Sequence, residues 1–425
     1  MMEAKTLVLG AGIAGLAYAN EFEKEEAIIF EKSDELGGLC HSFQIEGFTF
    51  DSAVHLSFTN NENVRAQFDK SPYITHLPLA VNYYNGYWLK HPVVNNLYQL
   101  PPEEKVRLLK SFINREANIK IKNYKDWLIA SYGEEISKTF YEVYTQKYWT
   151  TDAEILSTTW IGNRLGTPDL EKMLWGAFSM ETGIDYYAKE MRYPEKGGYQ
   201  SFINQLANNV HIVYNKKASK IVLEEKKVIF QDGTCCYFDK LASSIPLPEL
   251  VNLTVGIPED IKEAASTLQA SKISLVSIGF NRNDIPKNIW FYIYDQDILA
   301  ARVNSPSMKS VNNAPANCSS LQFEIYHAPG SKINKEEVID NTRYALKRMG
   351  ICDDNDILFM DYRLLDYGNV IFKRGMETER NKVRDYFEQK GIDLIGRFGE
   401  WEYYWSDQSY MSGKNKGRKR KGECK

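Results

Sequence analysis

Three glycines near the start of the 425-residue chain have the spacing of a dinucleotide-binding turn. Gly10, Gly12 and Gly15 follow the apolar run 6–9 and precede a helical pattern. Gly10 would allow the tight turn, Gly12 would let the backbone approach a pyrophosphate, and Gly15 would let the helix pack closely on the strand. Glu31 lies 21 residues after Gly10, at the end of a second apolar run, where a carboxylate can accept hydrogen bonds from ribose hydroxyls. This order of strand, turn, helix and strand predicts a dinucleotide site.

Two further segments favour FAD over a nicotinamide dinucleotide. The pair Gly37 and Gly38 follows Glu31, the predicted ribose ligand. A plain NAD dehydrogenase needs no second glycine pair at this position. Near the other end, the segment 396–399 (GRFG) precedes a predicted helix whose first N–H groups could hold a flavin carbonyl. The predicted cofactor-binding residues are therefore Gly10, Gly12, Ala14, Gly15, Glu31, Lys32, Gly37, Gly38, Leu39, Ala218, Arg397, Asp407, Gln408 and Ser409.

The composition is that of a globular protein, with 43% hydrophobic and 25% charged residues. No run of about 18 apolar residues predicts a membrane-spanning helix, and no secretory signal opens the chain. The net charge of -4 argues against a nucleic-acid binder with a basic surface. Cysteines and histidines lack metal-ligand spacing, so we expect reduced thiols, no metal and a cytoplasmic location. The basic end, 414–425, is predicted to be solvated and disordered.

The elements that must position these residues alternate along the chain. The first βαβ unit predicts a doubly wound sheet that contains parallel strands. Apolar periodicity and the helix-ending glycines predict helices that begin at 101 and span 134–149, 169–180, 335–349 and 377–390, with strands at 220–223, 227–230, 273–280 and 289–293.

The cofactor segments occur at the start, the middle and the end of the sequence, and all must converge on one ligand. We therefore predict a discontinuous FAD-binding domain made of 1–85, 190–260 and 355–425. The segments between them, 86–189 and 261–354, are predicted to be inserted substrate-binding regions.

The segment 31–38 (EKSDELGG), together with the first glycine turn, resembles the FAD-binding start of the flavin amine oxidase and protoporphyrinogen oxidase superfamily. The segments 48–55, 192–198 and 241–246 are similar to later FAD-domain blocks of the same superfamily. The resemblance implies an α/β fold: a Rossmann-like FAD-binding domain of the GR2 flavoprotein type with an inserted α+β substrate domain.

Within that superfamily, the chain most resembles the UDP-galactopyranose mutase family in its eukaryotic style. The segment 396–403 is similar to that family's GRFGxWxY motif, and 91–96 (HPVVNN) is similar to its PFQNN segment. The segments 147–149, 160–164 and 290–302 resemble its helical substrate region and the strand that carries its second diphosphate-binding arginine. The resemblance implies that the catalytic site contains His55 beside the flavin, Arg164 and Arg302 as diphosphate ligands, and Tyr403.

Three positions depart from the mutase pattern. Val94 stands where the mutases carry a glutamine, Thr145 where an asparagine is usual, and Asn369 where a tyrosine contacts the diphosphate. Each implied site residue also has a structural alternative, because a lone histidine or tyrosine can pack in a core and an arginine can form a salt bridge.

Two classes of function therefore remain open. In the first, a reduced flavin, with NAD(P)H as a reductant, rearranges the sugar ring of a nucleotide sugar that serves as a surface-polysaccharide precursor. In the second, an amine oxidase or protoporphyrinogen oxidase type of oxidoreductase transfers hydride from a small molecule to FAD. A flavin-binding protein without activity is a third reading.

Overall fold

Two seven-stranded sheets form the framework of the computed structural model, which describes residues 2–162, 164–166, 168–186, 188–286 and 288–422. The strands are β1 (Met2–Leu9), β2 (Ala27–Phe30), β3 (Ser42–Ile45), β4 (Phe48–Asp51), β5 (Tyr73–His76), β6 (Ala80–Tyr84), β7 (Tyr87–Lys90), β8 (Met191–Pro194), β9 (His211–Val213), β10 (Ala218–Val222), β11 (Lys227–Phe230), β12 (Cys235–Ser243), β13 (Lys272–Phe280), β14 (Trp290–Ile293), β15 (Arg302–Asn304), β16 (Ser319–His327), β17 (Ile357–Leu365) and β18 (Asp393–Leu394).

Helices cover the sheets and connect them. They are α1 (Ile13–Ala19), α2 (Glu62–Phe68), α3 (Pro102–Ile113), α4 (Tyr124–Tyr132), α5 (Glu134–Ile136), α6 (Val143–Trp149), α7 (Leu170–Phe178), α8 (Ser201–Asn204), α9 (Leu247–Leu253), α10 (Glu259–Thr267), α11 (Pro306–Lys309), α12 (Lys335–Arg348), α13 (Met376–Gln389), α14 (Gly396–Gly399) and α15 (Ser406–Gly422). A π-helical segment, Ser137–Glu142, joins α5 to α6, so the predicted helix 134–149 is continuous. In the ranges given above, no helix is both long and apolar enough to cross a membrane.

The first sheet has the strand order β10-β11-β12-β1-β2-β9, with β18 beside β12. β1 runs parallel to both β2 and β12, and α1 crosses between β1 and β2. The apolar residues of β1 are buried on both faces, because neighbours and helices cover them. The predicted βαβ unit and α/β class are confirmed, and the glycine turn lies at the carboxyl end of β1.

The second sheet has the order β17-β13-β16-β15-β14-β6-β7 and is antiparallel except where β14 pairs with β6. It carries Arg302 at the start of β15, next to the buried strand β16. Its strands β6 and β17 come from the segments 1–85 and 355–425, which also supply strands of the first sheet. The proposed domain boundaries stay a prediction.

The prediction that the basic end of the chain is disordered is wrong for the residues that the structure describes. The segment expected to be disordered belongs to α15 as far as Gly422, and residues 423–425 lie outside the described ranges. Gly413 and Gly417 are buried against α1, where an added Cβ would lie 2.0 Å from the Ala14 carbonyl oxygen and 2.7 Å from that of Tyr18. Basic side chains on the helix pair with acids elsewhere, as Arg420 does with Asp393 at 2.6 Å. Close packing and these ion pairs order the tail.

Candidate functional site

One cavity of about 1480 Å³ is lined by residues from both sheets. It brings together most of the site residues predicted from the sequence: Gly10, Gly12, Ala14, Glu31, Lys32, Gly37, Gly38, Leu39, His55, Arg164, Ala218, Arg302, Arg397, Tyr403, Asp407 and Ser409. Gly15 and Gln408 do not line it. The Gln408 side chain is exposed and accepts a hydrogen bond from the Trp405 N–H at 2.9 Å, so it caps the start of α15.

The glycine turn forms a backbone cradle at one end of this cavity. Gly10 has a φ of 98°, which only glycine adopts without strain. A Cβ on Gly15 would lie 2.0 Å from the Gly10 carbonyl oxygen, so this glycine lets α1 pack on the turn. A Cβ on Gly12 would meet nothing within 4 Å and would project into open space in the cavity. The cradle therefore fits a ligand that approaches the backbone closely, as a pyrophosphate does.

Glu31 is held at the edge of the cradle by two backbone groups. Its Oε2 accepts a hydrogen bond from the Ala11 N–H at 2.7 Å, and its Oε1 accepts one from the Ser33 N–H at 2.9 Å. The residue is buried and lines the cavity. Each carboxylate oxygen has a second lone pair, so Glu31 can still accept hydrogen bonds from a diol.

His55 lines the same cavity from the turn that follows β4. Its Nδ1–H donates to the Ala53 carbonyl oxygen at 3.0 Å, and its ring lies 4.9 Å from that of Tyr199, centroid to centroid. Ala53 has a φ of 88°, so the turn is strained. Burial lowers the pKa of His55 to about 4, and the imidazole is neutral at pH 7 with Nε2 as an acceptor.

Two arginines flank Tyr403 in the same cavity. The Arg164 guanidinium lies 4.5 Å from the Tyr403 ring centroid, and its Nη atoms donate to the carbonyl oxygens of Trp160 (2.8 Å) and Tyr403 (2.6 Å). The Arg397 guanidinium lies 5.0 Å from the same ring. Burial raises the pKa of Tyr403 well above its usual range, so the phenol stays protonated.

Arg302 reaches the cavity from β15 and is anchored from behind. Its Nε donates to the fully buried carboxylate of Glu324, and its Nη2 donates to the Tyr326 hydroxyl at 3.2 Å. Its guanidinium lies 5.3 Å from the Tyr148 ring, and Tyr148 shares a 2.9 Å hydrogen bond with the Tyr403 hydroxyl. Tyr148 thus connects the surroundings of Arg302 to those of Tyr403.

Several residues of this network were missed by the sequence analysis, among them Tyr148, Tyr199 and Glu324. Asn369 was noted only as a departure, yet it is buried, accepts from Arg397 Nη2 at 2.8 Å and donates to the Tyr148 carbonyl oxygen at 3.3 Å. No local motif marks these residues, because their partners lie far away in the sequence. The pairing of β15 with β16 places Glu324 opposite Arg302, and only that register could have identified it.

The first part of the chain matches a known sequence family. Residues 8–71 match the family described as an NAD(P)-binding Rossmann-like domain. A stretch of 68 residues is 35% identical to all-trans-retinol 13,14-reductase of Danio rerio, and 53 residues are 45% identical to an uncharacterized protein of Methanothermococcus thermolithotrophicus. These stretches cover 15% and 12% of this chain, and 11% and 51% of the two relatives.

Solved structures match over the whole chain. A reduced UDP-galactopyranose mutase matches with a TM-score of 0.92 at 22% identity, covering 100% of this chain and 95% of its own. A protein assigned as a protoporphyrinogen oxidase from Exiguobacterium sp. 255-15 matches with a TM-score of 0.72 at 15% identity, covering 100% of both chains. A putrescine oxidase variant matches with a TM-score of 0.68 at 12% identity, covering 99% of this chain and 100% of its own. The chain therefore has the fold of UDP-galactopyranose mutase and of these oxidases, as the sequence resemblance predicted.

Proposed function

We propose that the protein is an FAD-dependent enzyme of the UDP-galactopyranose mutase type that acts on a nucleotide sugar used as a surface-polysaccharide precursor. The observation that carries this proposal is that Arg164, Arg302 and Tyr403 line the same cavity as the glycine cradle. An anion held by the two arginines would therefore share one enclosed space with a dinucleotide. The mutase neighbour has the same fold across the whole chain, which supports the proposal.

The cradle would hold FAD through its backbone. Gly12 would contact the pyrophosphate, Glu31 the ribose hydroxyls, and Gly38 a further part of the cofactor, while Arg397 and the first turn of α15 would face the flavin. When bound, FAD supplies an electron-rich ring in its reduced form and a hydride acceptor in its oxidised form. NAD(P)H is the proposed reductant.

Arg164 and Arg302 would hold the diphosphate of the substrate. A guanidinium offers several N–H donors in a plane, and each charge-assisted hydrogen bond contributes roughly 1.5–3 kcal/mol. Both side chains are fixed before ligand arrives, Arg164 by two backbone carbonyls and Arg302 by Glu324. Little side-chain entropy remains to be lost on binding.

Neutral His55 and protonated Tyr403 would complete the site. At pH 7 the imidazole Nε2 of His55 can accept a proton or a hydrogen bond, since Nδ1–H is held by Ala53. The Tyr403 hydroxyl is held by Tyr148 and keeps its proton, so it can donate a hydrogen bond to a sugar or phosphate oxygen.

The test uses the purified full-length protein. It should be yellow, release FAD on heating and bind UDP, and after reduction with dithionite it should convert UDP-galactopyranose to the furanose isomer. The variant Arg164→Ala should keep its FAD and lose most of its UDP affinity, whereas Arg343→Ala, which removes an arginine 43% exposed at the surface, should change neither. Protein that is yellow but binds no UDP would contradict the mutase-type function and leave the cofactor proposal standing.

The second candidate is an oxidoreductase of the amine oxidase or protoporphyrinogen oxidase type. It is favoured by the apolar part of the cavity lining, which includes Val94, Tyr124, Tyr144, Trp149 and Trp160. Thr145 donates its hydroxyl to the Tyr141 carbonyl oxygen at 2.6 Å, so this O–H is not available to a nucleotide base. Anaerobic bleaching of the flavin by an amine or a porphyrinogen, without any UDP binding, would favour this candidate.

A further inference from the structure

A buried carboxylate lies between Arg302 and the turn that carries His55. Glu324 is 0% exposed, and its Oε1 accepts a hydrogen bond from the Val54 N–H at 2.6 Å. Its Oε2 accepts from the Arg302 Nε and, at 2.7 Å, from the Tyr326 hydroxyl. Arg302 supplies the positive charge that balances the carboxylate. One side chain therefore contacts both the predicted anion ligand and the peptide next to His55.

The Val54 side of this bridge belongs to a strained turn. Ala53, with its positive φ, donates its N–H to the Asp51 carbonyl oxygen at 2.9 Å and accepts from His55 Nδ1. Asp51 is fixed in turn by a fully buried ion pair with Lys309 at 2.7 Å. The turn is thus anchored at Asp51, and the hydrogen bond from Val54 to Glu324 fixes its other end, immediately before His55.

We propose that Glu324 is a positioning residue that couples the occupation of Arg302 by an anion to the position of His55; the identity of the anion rests on the proposed function. An anionic oxygen that binds the outer N–H groups of Arg302 competes with Glu324 for the guanidinium. A fully buried carboxylate is too costly to leave without partners. Glu324 therefore tightens its bonds to Val54 and Tyr326 as its bond to Arg302 weakens, and the Val54 peptide moves with it.

The first experiment needs no ligand. Holoprotein labelled with ¹⁵N-valine and ¹³Cε1-histidine is compared as wild type, Arg302→Met, Glu324→Gln and the double variant. The Arg302 replacement should shift the Val54 amide proton and the His55 ring resonance in the wild-type background and move neither in the Glu324→Gln background. Arg164→Met is the matched control, because Arg164 lines the same cavity but is held by backbone carbonyls, and it should leave Val54 unmoved.

Equal shifts in both backgrounds, or none in either, would overturn the proposal. If Arg302→Met does not fold, Arg302→Lys replaces it in the same double-mutant cycle. Lysine keeps the positive charge but lacks the planar N–H donors of the guanidinium. The melting temperature and the FAD content of every variant show that the shifts come from folded holoprotein.

The second experiment uses UDP and inorganic pyrophosphate as probes. Saturating either probe should move the Val54 and His55 resonances of the wild type, and Glu324→Gln should still bind within about tenfold but lose most of that movement. Tyr326→Phe keeps both the Val54 and the Arg302 contacts of Glu324, so it should retain the movement of the Val54 and His55 resonances. Binding without movement in the wild type would overturn the coupling and leave the proposed function intact. Absence of binding by both probes would contradict the proposed function, and the ligand-free cycle would then decide the coupling alone.

Discussion

Two regions of the cavity are built in different ways: the cradle end, around Gly10 and Gly12, and the arginine end, which contains Arg164, Arg302, Arg397 and Tyr403. At the cradle end, glycines let backbone segments lie in close contact. An added Cβ on Gly15, for example, would lie 2.0 Å from the Gly10 carbonyl oxygen. The arginine end consists of long side chains held by partners from distant elements, as Arg302 is by Glu324 and Arg397 is by Asn369. A site made of backbone tolerates almost no added atom, whereas a site made of side chains depends on each partner's charge.

The two ends should therefore fail differently when they are altered. At the cradle, an added side chain should block the ligand or separate elements in an all-or-none manner. At the arginine end, removing a side chain should leave a folded protein with graded losses of affinity and stability. The variants below test this difference.

The largest effect is expected from Gly12→Val. Gly12 has an extended backbone conformation with φ -71° and ψ 173°, and a Cβ there would meet nothing within 4 Å, so valine should not disturb the fold. The branched side chain would instead occupy the space in front of the turn. We expect colourless protein with an unchanged melting temperature for the apoprotein, measured by circular dichroism and by heat-released FAD. Gly183→Val, also in open space but outside the cavity lining, is the control and should stay yellow.

At the arginine end, the two predicted anion ligands should differ from each other. Arg302→Ala leaves the buried Glu324 carboxylate without its cation, which should cost about 3–5 kcal/mol of unfolding free energy. Arg164→Ala removes donors to the backbone carbonyl oxygens of Trp160 and Tyr403 and should cost less. Both should weaken UDP binding by about ten- to a hundredfold. Urea unfolding and calorimetric titration measure the two effects, and equal stability losses would contradict the role assigned to Glu324.

Much of the cradle end could be predicted from the sequence, and little of the arginine end could. The spacing of Gly10, Gly12 and Gly15 encodes a local backbone geometry, so the turn, its helix and the βαβ order follow from adjacent residues. Arg164, Arg302 and Tyr403 were identified through family resemblance alone. The partners of Arg302, Tyr403 and Arg397 come from β16, α6 and the segment before α13, and neither periodicity nor composition indicates such long-range pairs.

The tail shows a different limit. Seven of the twelve residues 414–425 are Lys or Arg, and such a run of charge at a chain end is typical of a solvated, disordered segment. Gly413 and Gly417 are four residues apart and so lie on one face of a helix, a spacing that could have indicated close packing against another backbone. The acids that pair with the basic side chains could not be foreseen, since Glu21, Glu388 and Asp393 lie in three other segments.

Gly413→Ala tests whether the cradle's backbone contacts extend to α15. The added Cβ would lie 2.0 Å from the Ala14 carbonyl oxygen, so α15 must move away from α1, at a cost of about 1–3 kcal/mol in unfolding free energy. Gly422→Ala, at the end of the same helix and in open space, should be neutral or slightly stabilising because alanine favours helix. Chemical denaturation measures both variants. Equal stability of the two proteins would show that the contact between α1 and α15 is loose.

The smallest effect concerns two histidines that line the cavity, His55 and His91. Burial lowers the pKa of both His55 and His91 from 6.5 to about 4. Below about pH 6.5 the unfolded chain therefore takes up protons that the folded protein accepts only near pH 4. Stability should fall as the pH is lowered through this window, by about 1–2 kcal/mol for each histidine, since part of each side chain stays in contact with solvent. His55→Gln and His91→Gln should each flatten that fall in a plot of melting temperature against pH. If only His91→Gln does so, His55 is less buried in the folded protein than its turn indicates, and the strained turn at Ala53 is open.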